Sequence, residues 1–159
     1  MRPSTTTRRA LLGSLAALGG AAILPRLGAA AVPSMHVVKD PNCGCCSAWI
    51  DILERDGFKI TTEPSTGTAL SRYKLENGIP ADMASCHTGR IDGYMIEGHV
   101  PPSDIRRLLN TRPDAVGLAV PGMPYGSPGM GPETARDAYD VHLIRTGGET
   151  EVFARYSAA

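Results

Sequence analysis

Aromatic residues are few: Phe, Trp and Tyr make up 5% of 159 residues, with a single Trp. An excess of one charge is absent too, since Lys+Arg and Asp+Glu each number 16. With no basic excess and no Lys/Arg stripe interleaved with aromatics, the chain lacks the footprint of a nucleic-acid-binding module. No uncharged apolar run reaches the roughly 20 residues that span a bilayer. The run Ala10–Leu24 stops short of that length. Gly (18) and Pro (13), by contrast, are common and predict prominent loops. A hydrophobic content of 42% suffices for a core, and the length allows one domain of ordinary size.

Acidic residues are missing from residues 1–31 altogether, while Arg2, Arg8, Arg9 and Arg26 all lie there. The rest keeps twelve bases against sixteen acids, a net −4. Met1–Arg9 is polar and basic, Ala10–Leu24 is apolar, and Ala29-Ala30-Ala31 supplies small residues. Basic, apolar, small is the order of a cleavable export signal. Arg8-Arg9 followed by Ala10-Leu11-Leu12 resembles a twin-arginine signal. The expected mature chain is therefore 32–159, in the bacterial periplasm and without a membrane span.

Met35–Lys39 predicts a strand, broken by Asp40-Pro41-Asn42. A helix is predicted over Cys43–Arg55, with Asn42 as N-cap, Gly57 as stop, and Ala48, Trp49, Ile52 and Leu53 on its buried face. Phe58 and Ile60 suggest a second strand, and Thr68–Glu76 a second helix. Gly89-Arg90 and Ile91-Asp92-Gly93 read as turn material before a strand at Tyr94–Glu97, in which Met95 alternates as core. Pro101-Pro102-Ser103-Asp104 opens a third helix. Val116–Val120 is apolar, and Pro121–Pro132 is a loop. Val141–Ile144 and Glu151–Arg155 flank Gly147-Gly148, as in a terminal hairpin. This order predicts an α/β, thioredoxin-like domain with a C-terminal loop and β-hairpin extension at 116–159.

Three of the four cysteines fall in Cys43-Gly44-Cys45-Cys46, and the fourth is Cys86. A structural staple gains by closing a long loop, which a bridge inside this cluster does not do. At a helix start, backbone N–H groups stabilise thiolates. Cys43 and Cys46 have the C-x-x-C spacing of a redox pair, with Cys43 as nucleophile and Cys46 resolving it. A plain dithiol enzyme has no need of Cys45, and three sulfurs in four residues suit a soft metal. Structural zinc fits poorly, because it usually draws two C-x-x-C pairs and only Cys86-His87 completes the set.

Met123 and Met130 sit in the Pro/Gly-rich loop without apolar periodicity. Thiolate with thioether selects Cu(I). The alternative is that both methionines plug a packed loop. His87, beside Cys86, is the best candidate imidazole ligand, and His99 sits just before a helix, placed to line the same cleft. His36 and His142 read as ordinary histidines.

Cys43-Gly44-Cys45-Cys46, Ser85-Cys86-His87-Thr88, Glu97-Gly98-His99-Val100-Pro101 and Gly122-Met123-Pro124-Tyr125-Gly126-Ser127-Pro128-Gly129-Met130 occur in this order. Together they resemble the CopG-type family of exported, thioredoxin-like metal-binding proteins found with bacterial copper-resistance systems. The resemblance runs from Met35 to Tyr156. It implies an extension that closes over the metal site and a cysteine-bridged copper centre. It implies a role in copper tolerance through interconversion of Cu(I) and Cu(II). Carried over by position, Cys43, Cys45, Cys46 and Cys86 are the sulfur ligands, Met123 and Met130 the thioethers, and His87 the imidazole. Gly131 stands where the family pattern has an acidic residue, and Glu133 is the residue nearby to take that place.

Four functions compete. They are a copper oxidoreductase, a passive Cu(I) carrier or buffer, a thiol–disulfide oxidoreductase working through Cys43 and Cys46, and a structural zinc protein. The expected partners are copper ions, one or more per chain, and periplasmic copper efflux or redox proteins.

Overall fold

A computed structural model describes residues 32–159. The expected export signal at 1–31 lies outside the described residues. Among those residues no helix is long and apolar enough to cross a membrane.

The fold is mixed α/β, built on one seven-stranded sheet. Its elements are β1 (Ser34–Lys39), α1 (Gly44–Arg55), β2 (Lys59–Pro64), α2 (Gly67–Glu76), β3 (His87–Ile91), β4 (Tyr94–Glu97), α3 (Pro102–Thr111), β5 (Gly117–Ala119), β6 (Tyr139–Ile144) and β7 (Thr150–Tyr156). The strand order is β2-β1-β3-β4-β5-β6-β7. The β1/β2 and β4/β5 pairs are parallel, and the other neighbours run antiparallel. The two parallel pairs need crossovers, which α1 and α3 supply.

Strand alternation divides the core between the two faces of the sheet. Ile96, Leu118 and Leu143 join Trp49, Leu53, Ile105 and Leu108 in the larger cluster, under α1 and α3. The residues next to them, Met95, Ala119 and Ile144, pack instead with Ile79, Met83 and Tyr73. Met95 is 5% exposed, so the reading of it as core holds.

Three local expectations need correction. Asn42 does not cap α1. Its N–H is taken by Asp40 Oδ1 at 2.8 Å in the preceding turn, and Cys43 is the N-cap. The buried face of α1 is Cys46, Trp49, Ile50 and Leu53, with Ala48 and Ile52 only half-buried. Gly89-Arg90 is strand, not turn: Gly89 pairs with Val37 on one side and Ile96 on the other. Only Asp92-Gly93 turns, both at positive φ (50° and 90°). That is the requirement of a tight two-residue hairpin, and Asp-Gly meets it.

Candidate metal centre

Sheet topology gathers the chemistry at one end of the molecule. The register pairs Lys39 at the end of β1 with His87 at the start of β3. Glu97 at the end of β4 pairs with Thr88 and, in parallel, with Ala119 at the end of β5. The first turn of α1, the Cys86-His87 pair, His99 and the loop after β5 therefore leave the sheet at the same edge.

At the start of α1, Cys43 and Cys46 are three apart and form a disulfide. Cys46 is fully buried, while Cys43 is half-buried at the N-cap, where its sulfur also accepts the Cys46 N–H at 3.4 Å. Cys45 and Cys86 are free. Cys45 Sγ lies 3.5 Å from Cys43 Sγ and 4.0 Å from Cys86 Sγ. The four sulfurs all lie within 4.8 Å of one another, and so do the donor atoms of Cys86, His87 and His99. Cys86 belongs to both sets.

On the imidazole side, His99 Nε2 is 3.1 Å from Cys86 Sγ and His87 Nδ1 is 3.3 Å from it. The other nitrogen of His99, Nδ1, meets the Pro128 carbonyl at 2.8 Å. A carbonyl only accepts, so Nδ1 carries the proton and Nε2 turns a bare lone pair toward Cys86. His87 is held differently. Its ring packs 4.3 Å from Trp49 and 5.1 Å from His99, and its Nε2 has no hydrogen-bond partner among the described residues. Burial holds both imidazoles below the usual histidine range, His87 well below it, so both are neutral. Burial first, and Cys45 second, push the Cys86 thiol up to about 12. That thiol is protonated at neutral pH, and an ion that takes the sulfur must displace its proton.

The loop after β5 forms one wall. Gly129 (φ 85°) lies so close to α1 that a Cβ there would stand 2.7 Å from Trp49 N and 2.9 Å from the Cys45 carbonyl oxygen. Only glycine allows both that φ and that approach. The Trp49 indole N–H donates to the Val100 carbonyl at 2.9 Å, which ties α1 to the His99 segment.

Two solved structures share this architecture. The one titled "Copper resistance protein copG- Form 1" is 47% identical, with a TM-score of 0.74, and the match covers 79% of this chain and 98% of that one. "Copper resistance protein copG- Form 2" is 48% identical, with a TM-score of 0.71, covering 78% of this chain and 98% of that one. The chain belongs to the CopG family of copper resistance proteins. The family described as "Protein of unknown function, DUF411" also matches residues 83–130, the stretch from before Cys86 to Met130. No curated protein matches the sequence.

In this CopG homologue the cysteine cluster can hold a metal ion, and Cys43, Cys45, Cys46, Cys86 and His87 lie together. The two methionines differ in exposure. Met123 is 54% exposed, while Met130 is half-buried directly after Gly129. Glu133 is exposed and pairs with Arg136 at 2.8 Å. His36 pairs with Thr61 and Glu63, away from the sulfurs. His99 is a donor the assigned ligand set omits. Its signal was in the sequence, as a histidine between the end of a strand and a Pro-started helix.

Proposed function

We propose that this chain is an exported copper-binding redox protein of copper resistance, with copper as its cargo. Residues 1–31 are read as a cleavable twin-arginine signal, and 32–159 as a thioredoxin-like domain in the periplasm. The run β2-β1-β3-β4, with α1 starting at a C-x-x-C after β1, supports the thioredoxin-like reading. A disulfide suits an oxidising compartment. Residues 116–159 supply the wall over the site, through Pro128 and Gly129.

The observation that carries this reading is the sharing of Cys86 between a four-sulfur set and a sulfur–imidazole set. Thiolates suit Cu(I), and neutral imidazoles accept Cu(II) as well. One site with both donor types suits an ion that changes oxidation state. With the Cys43–Cys46 bridge open, Cys43, Cys45, Cys46 and Cys86 are the sulfur ligands, with His87 as imidazole and Met123 and Met130 as thioethers. Cys43 and Cys46 do the redox work. Closing their bridge from two thiolates releases two electrons, enough to turn two Cu(II) into two Cu(I). Opening the bridge consumes two electrons, which two Cu(I) supply on becoming two Cu(II).

The disulfide itself favours a second reading, thiol–disulfide exchange with protein substrates. Its half-exposed Cys43 and buried Cys46 have the asymmetry of an attacking and a resolving thiol. One experiment separates the readings: metal content and visible absorbance of protein purified from its periplasm, before and after mild reduction. Bound copper with a reversible colour change is the expected result. Copper that stays colourless makes the protein a passive Cu(I) carrier. Absence of metal, with two reactive thiols, leaves thiol–disulfide exchange.

A further inference from the structure

Two opposite charges are buried behind the donor atoms. Glu97 at the end of β4 is fully buried, and Lys74 of α2 is 5% exposed. Lys74 Nζ donates to Glu97 Oε1 at 2.6 Å and to Thr88 Oγ1 at 2.9 Å. Thr88 Oγ1 in turn donates to Glu97 Oε2 at 2.6 Å. The remaining partner is backbone: the Ser85 N–H donates to Oε1 at 2.6 Å.

A buried ion pair is a weak source of net stability, since apolar residues of similar volume commonly serve as well. The quartet is better explained by what it holds. Ser85 precedes Cys86, and Thr88 follows His87. One carboxylate thus anchors both ends of the Cys86-His87 pair. The Ser85 hydroxyl extends the brace to the Gly122 carbonyl, and the Gly122 N–H returns to the Ala84 carbonyl at 3.4 Å. The root of the methionine loop is tied to the same point.

We propose that Glu97 is a positioning residue for the metal centre. Acting through the Ser85 amide and the Thr88 hydroxyl, it fixes Cys86 Sγ and the His87 ring within reach of His99 and Cys45. Lys74 neutralises it in place. The purpose assigned to the site rests on the copper reading above, but the brace does not.

Two variants test this. Glu97→Gln keeps an oxygen for the Ser85 amide. Lys74→Met with Glu97→Leu removes both charges and fills the space with apolar side chains. Three quantities are read: thermal unfolding, iodoacetamide alkylation of Cys86 in the metal-free protein (located by peptide mass spectrometry), and Cu(I) affinity by chelator competition. The double variant is expected to stay folded, to bind Cu(I) about tenfold more weakly, and to alkylate at Cys86 at least about threefold faster. Glu97→Gln keeps the Ser85 bond but loses the acceptor for the Thr88 hydroxyl and leaves Lys74 without its counter-charge, so it is expected to fall between the wild type and the double variant in both. A folded double variant with unchanged alkylation and affinity overturns the proposal, as does Glu97→Gln impaired as badly as the double. If the double variant does not fold, amide exchange in the metal-free wild type decides. Strong protection of the Ser85 amide is expected, and exchange at the rate of a free amide overturns the brace. Failure of the wild type to bind Cu(I) sinks the copper reading alone, because the alkylation arm needs no metal.

Discussion

His99 Nε2 stands 3.1 Å from Cys86 Sγ, and the same ring is oriented from behind by the Pro128 carbonyl, 2.8 Å from Nδ1. A loop residue thus selects the tautomer of an imidazole that faces a thiol across the sheet edge. Outer partners of this kind set how well a donor binds metal.

His99→Asn separates the two roles of the ring. An Asn amide reaches about as far as Nδ1 and keeps the bond to Pro128, but it removes the nitrogen facing Cys86. Copper affinity is expected to fall at least about tenfold while the protein stays folded. Chelator competition beside a thermal melt makes the measurement. Unchanged affinity removes His99 from the donor set.

Cys45 separates metal chemistry from disulfide chemistry. It is free, yet its sulfur lies between Cys43 and Cys86, at 3.5 and 4.0 Å. In Cys45→Ser the Cys43–Cys46 bridge is expected to form as before, and the copper bound per chain to drop. Elemental analysis with mass spectrometry of blocked thiols reads both. Full copper content in this variant would mean that Cys45 is not a ligand.

Gly129→Ala tests the wall. The added Cβ meets α1 backbone on one side and a positive φ on the other. Strain of about 1–3 kcal/mol is expected, read as a lower midpoint in urea. Copper affinity is expected to fall as well, because a displaced loop takes the Pro128 carbonyl away from His99. Lost stability with intact affinity would show that the loop does not orient the ring.

Much of this site was legible in the sequence, for identifiable reasons. Cys43, Cys45 and Cys46 are neighbours in the chain, so their clustering needed no tertiary knowledge. Cys86-His87 stood out by composition. Helices α1 and α3 carried strong start signals, although α1 begins one residue later than expected, so that Cys43, whose sulfur accepts the Cys46 N–H, is the cap and Asn42 lies in the preceding turn. Gly89-Arg90 misled because glycine in a strand mimics a turn. Here a side chain has no room, since Met35 Sδ would lie 2.6 Å from a Cβ at Gly89. His99 and Glu97 depend on the register of β4 against β3, which no local pattern encodes. A charged residue in a short apolar strand is the trace that Glu97 leaves in the sequence.

The two methionines should behave differently. Met123 is 54% exposed, so Met123→Ala is expected to change unfolding stability by less than about 0.5 kcal/mol. Met130 follows Gly129, which lies against the Cys45 carbonyl, so Met130→Ala is expected to weaken Cu(I) binding more. Both variants together are expected to weaken it further, with the metal-free protein still folded. Chelator competition on the single and double variants ranks them. Equal, undiminished affinity in all three would make the loop methionines packing residues.

Tyr156 of the terminal hairpin makes the fold sensitive to alkaline pH. The Tyr156 hydroxyl donates to Asp104 Oδ2 at 2.7 Å, and its ring stacks on Tyr139 at 4.8 Å. These two rings, with Pro128 and Gly129, line a cavity of about 330 Å³ behind the loop. Burial, and then the bond to Asp104, push the Tyr156 phenol up from 10.0 to about 12. Its folded value lies above its unfolded one. The stability it contributes is therefore complete below about pH 10 and lost as pH climbs toward about 12. Tyr139 is raised as well, chiefly by burial, and adds to the same loss. Tyr156→Phe is expected to cost about 1 kcal/mol at pH 8, through the hydrogen bond to Asp104. It is also expected to flatten part of the fall between pH 10 and 12, leaving the shares that belong to Tyr139 and to the Cys86 thiol. Urea unfolding across that range reads both, and an alkaline slope as steep as the wild type's would mean that Tyr156 does not hold its proton more tightly in the fold.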